Sequence, residues 1–352
     1  MKRAGNWVLF GVHLCLGLTT LSGIGQASQG GGSYAHGKVV SRHADYIDGA
    51  VTDKIILYPK KTRLSTAREV IERDAVLVRY DDAVATVLLC HGFMCSKIDT
   101  GVLRRLFPRG RFNVMSFDFR AHGTRATGQQ CTFGRDEACD VLTAAYFIKN
   151  DPLLKDKPLF VYGFSMGAVA AIEAQSLDSS LFQAMILDCP FDSAHDVIRR
   201  VLDSLTFSLF GYKFRMPGRA LLQRYAFHPY IQSLVKVVLK TVANMDPRDI
   251  HINLCPISPK DSIKNITIPI FFIVCKKDER APMAAVRGLY DGAASHYKEL
   301  WLTNGRGHFD SYFHSPEKYT TKVRQFLEES LKDGMVQRVY HRVIEDEGDF
   351  LL

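Results

Sequence analysis

Gly163-Phe164-Ser165-Met166-Gly167 is the stretch on which the fold turns. It fits G-x-S-x-G, and its flanks suit that pattern. Leu159-Phe160-Val161-Tyr162 before it is an apolar run that reads as a buried strand, and Ala168 to Ala174 after it is small and apolar, as a helix start would be. A serine at so sharp a strand-to-helix turn has its hydroxyl pushed out of the sheet, and side chains in place of Gly163 and Gly167 would clash. The N–H groups of the new helix point to the same spot and stabilise negative charge there. Ser165 is therefore the candidate nucleophile.

Working outward, apolar strands alternate with helical patterns. Ile55 to Tyr58 and Ala75 to Arg79 read as early antiparallel strands. Ala83 to Cys90, Val114 to Asp118, Leu159 onward, Ala184 to Asp188, Ile270 to Cys275 and Tyr297 to Leu302 read as further strands. Asp136 to Lys149 and Lys318 to Lys332 carry helical spacing. This rhythm predicts an α/β fold: a mainly parallel central sheet with helices on both faces. Residues 195–259 break it with amphipathic patterns and no strand-helix-strand unit, and we read them as a helical cap inserted above the sheet. The organisation expected is a signal peptide over 1–27, a flexible linker over 28–50, core over 51–194, cap over 195–259, core again over 260–333, and an acidic tail over 334–352.

A serine hydroxyl needs a base beside it and an acid to orient that base. In the order that usually accompanies a G-x-S-x-G serine turn, the acid and then the histidine follow the serine, each at the end of a later strand. The run ending at Cys275 leads to Lys276-Lys277-Asp278, and the run ending at Leu302 leads to Gly305-Arg306-Gly307-His308. Asp278 is the candidate acid, with Asp192 after the preceding strand as its rival. His308 is the candidate base, ahead of His296 and His314, neither of which follows a Gly-x-Gly turn. The loop His91-Gly92-Phe93 places the Phe93 N–H to pair with that of Met166 as an oxyanion hole. His91 reads as a support for that loop, and nothing in the sequence activates Cys95 as a nucleophile.

These motifs, with Phe117-Asp118-Phe119-Arg120-Ala121-His122-Gly123 and Leu187-Asp188-Cys189-Pro190-Phe191-Asp192-Ser193, resemble the α/β-hydrolase superfamily. The likeness is nearest to prolyl-oligopeptidase-like and serine-aminopeptidase-like single-domain hydrolases of bacteria, and it covers about residues 75–333. It implies an α/β-hydrolase fold, a Ser165–His308–Asp278 triad, no cofactor, and a small-molecule ester substrate, partly apolar given the aromatic cap. Peptidase and acyltransferase chemistry use the same triad, and a non-catalytic binding protein is the remaining alternative. The family has glycine where this chain has Ala121.

The bulk properties frame this reading. Met1-Lys2-Arg3, an apolar Trp7 to Leu21 and the small residues Gly25-Gln26-Ala27 read as a secretory signal cut after Ala27, which predicts a secreted or periplasmic protein. The rival is an uncleaved membrane anchor over residues 4–21. Removing 1–27 takes Lys2 and Arg3 and no acid, so the formal net charge falls from +8 to +6. No basic run interleaved with aromatics points to nucleic acid. No C-x-x-C or H-E-x-x-H pattern points to a metal. Of the eight cysteines, Cys131 and Cys139 flank a short polar segment and are the best disulfide candidates, while Cys90, Cys189 and Cys275 read as buried small hydrophobes.

Overall fold

The computed structural model describes residues 33–34, 36–45, 49–59, 72–204, 206–209, 212–215, 218–228, 230–233, 237, 251–332 and 339–346. The expected signal peptide over 1–27 lies outside them. Among the described residues no helix is long and apolar enough to cross a membrane.

The strands are β1 (Ser33–Tyr34), β2 (Gly37–Ala44), β3 (Val51–Leu57), β4 (Arg73–Arg79), β5 (Ala85–Cys90), β6 (Phe112–Phe117), β7 (Leu159–Phe164), β8 (Ala184–Asp188), β9 (Thr206–Leu209), β10 (Tyr212–Arg215), β11 (Ile270–Cys275), β12 (Tyr297–Thr303) and β13 (Tyr340–Glu345). Eleven of them form one sheet in the order β1-β2-β3-β4-β6-β5-β7-β8-β11-β12-β13. The first four pair antiparallel and β4 joins β6 antiparallel; from β6 to β13 every pairing is parallel. The helices are α1 (Glu137–Asn150), α2 (Met166–Leu177), α3 (Ala194–Ser204), α4 (Arg219–Arg224), α5 (Pro259–Ser262), α6 (Met283–Gly292), α7 (Ser311–His314) and α8 (Pro316–Ser330).

The central strands are buried on both faces, as continuous apolar runs require. Alternate residues feed two cores. Leu88 of β5 and Val161 of β7 pack with α1 and α2 residues such as Val141, Phe147, Ala168 and Ile172. Their neighbours Leu89 and Phe160 pack on the opposite face with Val323, Phe326 and Leu327 of α8. Helix α2 runs deep in the first core, and Met166, Gly167, Ala168, Val169, Ala170 and Ala171 are all buried.

Four expectations are corrected. The 28–50 linker contains β2, which pairs with β3 over most of its length. The 334–352 tail contains β13, whose parallel register runs from Tyr297↔Tyr340 to Leu302↔Glu345. Both strands carry charged and polar residues on exposed positions, which is how sheet margins avoid pairing with other chains, and this removes the apolar signal of a central strand. Asp346 accepts a hydrogen bond from the Trp301 indole at 3.0 Å and pairs with Lys318, so part of the acidic cluster fastens the last strand. The 195–259 segment is not wholly helical, because β9 and β10 form a hairpin between α3 and α4. Thr206-Phe207-Ser208-Leu209 and Tyr212-Lys213-Phe214-Arg215 alternate apolar and polar with period two, which is a strand signature. Lastly, no disulfide joins Cys131 to Cys139, nor any other pair of the seven cysteines among the described residues.

Candidate active site

Ser165 stands between β7 and α2 with φ 52° and ψ −121°, a left-handed backbone that L-residues seldom adopt. The turn is held closed: the Ser165 N–H donates to the Asp188 carbonyl at 2.8 Å. It is also crowded. A Cβ on Gly163 would lie 2.7 Å from the Ala168 backbone, and one on Gly167 would lie 2.2 Å from the Cys90 carbonyl oxygen. Both glycines are thus set by close backbone approach, and strain at the serine is held by the packing around it.

The structure brings His308 and Asp278 to this serine. His308 Nε2 accepts from the Ser165 hydroxyl at 2.8 Å, and Nδ1–H donates to Asp278 Oδ2 at 2.8 Å. Asp278 follows β11 and its side chain is wholly buried, whereas that of His308 is 17% exposed. The second Asp278 oxygen accepts from the N–H groups of Arg280 and Ala281, each at 2.9 Å. The carboxylate is therefore held rigid and solvated by backbone, with one oxygen left for the imidazole. After His308, Phe309 turns left-handed at φ 60° and stacks on Phe164, ring centroids 4.0 Å apart, which ties the histidine loop to β7.

The rivals are engaged elsewhere. Asp192 receives both terminal nitrogens of Arg200, at 2.9 and 2.8 Å. Among the described residues neither His296 nor His314 hydrogen-bonds to Ser165, as His308 does; His314 ends α7. The oxyanion donors expected from the sequence are the N–H groups of Phe93 and Met166. Met166 opens α2 just after β7, and Phe93 follows its parallel neighbour β5, so both lie at the carboxyl end of the central strands. Among the described residues neither N–H has a hydrogen-bond partner, so both are free to meet an oxygen of a bound molecule.

A second set of polar residues builds the wall that carries Phe93. His91 is wholly buried; its Nδ1–H donates to the Gly92 carbonyl at 2.8 Å and its Nε2 accepts from the Phe119 N–H at 3.0 Å. Burial pushes its pKa down to about 3, so it stays neutral. His122 Nε2 accepts from Met94 N–H at 3.1 Å, and its Nδ1–H donates to Arg120 O at 2.7 Å. Arg120 forks onto Asp140 at 2.9 and 3.0 Å, and Arg73 approaches the same carboxylate at 3.3 Å. Ala121 sits at φ 59°, a conformation that glycine adopts without strain.

Cys189 is a contact that sequence spacing does not reveal. It is wholly buried at φ 45°, with Sγ 4.0 Å from His308 Nε2. Burial raises its thiol pKa well above the ordinary value, with Asp188 and Asp278 adding to the effect. Cys189, Asp278 and His308 are the one grouping of metal-type donors found among the described residues, within 4.8 Å of one another. Both imidazole nitrogens there already hold hydrogen bonds to Asp278 and Ser165. Cys95, the other thiol near this loop, has its pKa pushed up to about 11 by burial first and Asp99 second.

Residues 87–321 match the alpha/beta hydrolase family. The chain belongs to that family. Among curated proteins, the uncharacterized protein YqkD of Bacillus subtilis (strain 168) is 26% identical over 250 residues, 70% of this chain and 72% of that one. The esterase Pf2001 of Pyrococcus furiosus superposes with a TM-score of 0.56 at 21% identity, covering 78% of this chain and 94% of its own. The acetyl xylan esterase of Paenibacillus sp. R4 gives 0.55 at 15% identity, covering 82% and 88%. The fold is the α/β-hydrolase fold, and the protein is a hydrolase by membership.

Proposed function

We propose that this hydrolase cleaves a carboxylic ester through an acyl-enzyme on Ser165. The observation that carries this is the unbroken relay from Ser165 Oγ through His308 to Asp278, with 2.8 Å at each link. His308 takes the serine proton at Nε2 as Oγ attacks the ester carbonyl. Asp278 holds the imidazole in the tautomer that leaves Nε2 able to accept, and stabilises the imidazolium that forms. The carbonyl oxygen, now negative, meets the Phe93 and Met166 N–H groups. His308 returns the proton to the leaving alcohol. Water then repeats the sequence and releases the acid.

The likeness to two esterases supports ester over amide. An apolar group on the substrate is favoured by half-buried aromatics. Phe93, on the oxyanion loop, packs against Phe133 with centroids 4.8 Å apart, and Phe133 and Phe227 of the 195–259 insertion pack against the same buried cluster of Val169, Phe191, Ala194 and Ile257. We read the insertion, which leaves the sheet after β8, as the cap that borders this apolar face. A panel of 4-nitrophenyl esters of graded chain length, run beside short peptide anilides and with competing alcohol acceptors, tests the reading. Ester hydrolysis with a chain-length preference is expected. Anilide cleavage above ester cleavage, or product going mainly to the alcohol, would replace it with a peptidase or a transferase.

A further inference from the structure

Asp188 ends β8, one residue before the thiol that lies against His308. It is wholly buried. Its backbone carbonyl is the acceptor that ties down the Ser165 N–H at 2.8 Å. Its carboxyl Oδ2 accepts from Tyr319 at 2.7 Å and from Tyr162 at 3.4 Å, and the two hydroxyls lie 2.6 Å apart. Its Oδ1 has no hydrogen-bond partner among the described residues. The pocket is otherwise apolar and aromatic: Tyr319 packs against Trp301 and Tyr312 at centroid distances of 5.8 and 5.6 Å.

A carboxylate with a bare oxygen in such a place is costly, so the neutral acid is favoured. The groups that bear on it come from every neighbouring element. Tyr162 of β7 and Tyr319 of α8 donate to it, and the charge of His308 favours its ionised form. Asp278 disfavours that form. Cys189 and Cys275 are thiols pushed up by burial and by Asp188 itself. Burial, the largest influence, lifts the Asp188 pKa to about 7. The coupling to His308 is reciprocal by linkage: if the imidazolium favours an ionised Asp188, an ionised Asp188 favours the imidazolium.

We propose that Asp188, cradled by the Tyr162–Tyr319 hydroxyl pair, is a positioning residue for the triad, a buried acid whose ionisation adds a second negative charge near His308 and strengthens it as the base for Ser165. The proton it loses goes to water, and no bond between heavy atoms changes. The inference rests on the Ser165 reading.

The test is the second-order rate of Ser165 labelling by a fluorophosphonate probe from pH 5 to 9, which needs no knowledge of the substrate. The parent is expected to rise through two ionisations. Asp188→Asn should rise through one, converge with the parent near pH 5, and label roughly tenfold more slowly at pH 9. Tyr319→Phe removes the donor that favours the ionised acid and should move the second ionisation upward. A role confined to packing would scale the curve without changing its shape. Two unchanged ionisations in Asp188→Asn, a single ionisation in the parent, or a Tyr319→Phe curve that does not move would overturn the assignment. A parent that fails to label at all would instead remove the Ser165 reading.

Discussion

Replacing Asp278 by Asn separates orientation from bulk at nearly constant volume. One Asp278 oxygen accepts from two backbone N–H groups at 2.9 Å, and the other accepts His308 Nδ1–H at 2.8 Å. An asparagine must keep its carbonyl toward those two donors, which turns its NH2 toward His308. Nδ1 then has to accept, the proton moves to Nε2, and the imidazole no longer takes the Ser165 proton. The charge that stabilises the imidazolium goes at the same time. Together these should lower kcat by about four orders of magnitude, about 5 kcal/mol of barrier. Asp192→Asn serves as the internal control. It loses a partly exposed pairing with Arg200, worth at most about 1 kcal/mol of stability, and should change kcat less than about threefold. The assay is kcat and kcat/KM on a 4-nitrophenyl ester, with circular dichroism to show that both variants fold. A folded Asp278→Asn within tenfold of the parent, or a larger loss in Asp192→Asn, would refute the assignment of the acid.

Other expectations concern the frame around the triad. Gly167→Ala puts a methyl 2.2 Å from the Cys90 carbonyl oxygen and 2.5 Å from that of His91, both backbone, and should cost about 3 kcal/mol or more by thermal unfolding. Asp140→Asn leaves Arg120 and Arg73 buried without their shared anion and should cost about 3–5 kcal/mol by urea titration. Burial alone would raise the Asp140 pKa, but Arg120 and Arg73 outweigh it and hold it below the ordinary carboxylate range. Its contribution is therefore complete above the unfolded pKa near 4 and disappears as pH falls through the lower folded value, so the penalty of Asp140→Asn should shrink in acid. Ending the chain before Val339 bares the β12 edge and removes Asp346 from the Trp301 indole. The shortened protein should show changed Trp301 fluorescence and aggregate sooner on heating.

The central strands and the three residues at their ends were legible because both rest on local chemistry. Unbroken apolar runs such as Leu159 to Tyr162 mark strands buried on two faces, and the chain must turn at their carboxyl ends. A serine between glycines, an aspartate and a histidine at three such turns converge once the strands are parallel neighbours. Edge elements were not legible. β2 and β13 satisfy water on one side, so His341 and Arg342 look like tail, and only pairing with β12 makes them strand. Asp188 reads as the close of a strand and Cys189 as a buried small hydrophobe, because nothing in Leu187-Asp188-Cys189-Pro190 tells that Tyr319, 131 residues onward, will reach the carboxyl. The thiols of Cys131 and Cys139 flank a polar loop, yet Cys131 faces Met166 Sδ at 3.5 Å instead. Such pairings are set by tertiary packing, which spacing along the chain does not encode.

The central claim is that Ser165 is the nucleophile, and the most direct measurement is covalent labelling. A fluorophosphonate should add one phosphonyl group to the parent protein, on the peptide containing Ser165, in step with loss of ester hydrolysis. Ser165→Ala should fold, take no label and lose hydrolysis down to the thousandfold or so that an oxyanion hole and binding alone provide. A folded Ser165→Ala that still labels stoichiometrically, or still turns over ester at the parent rate, would contradict the account.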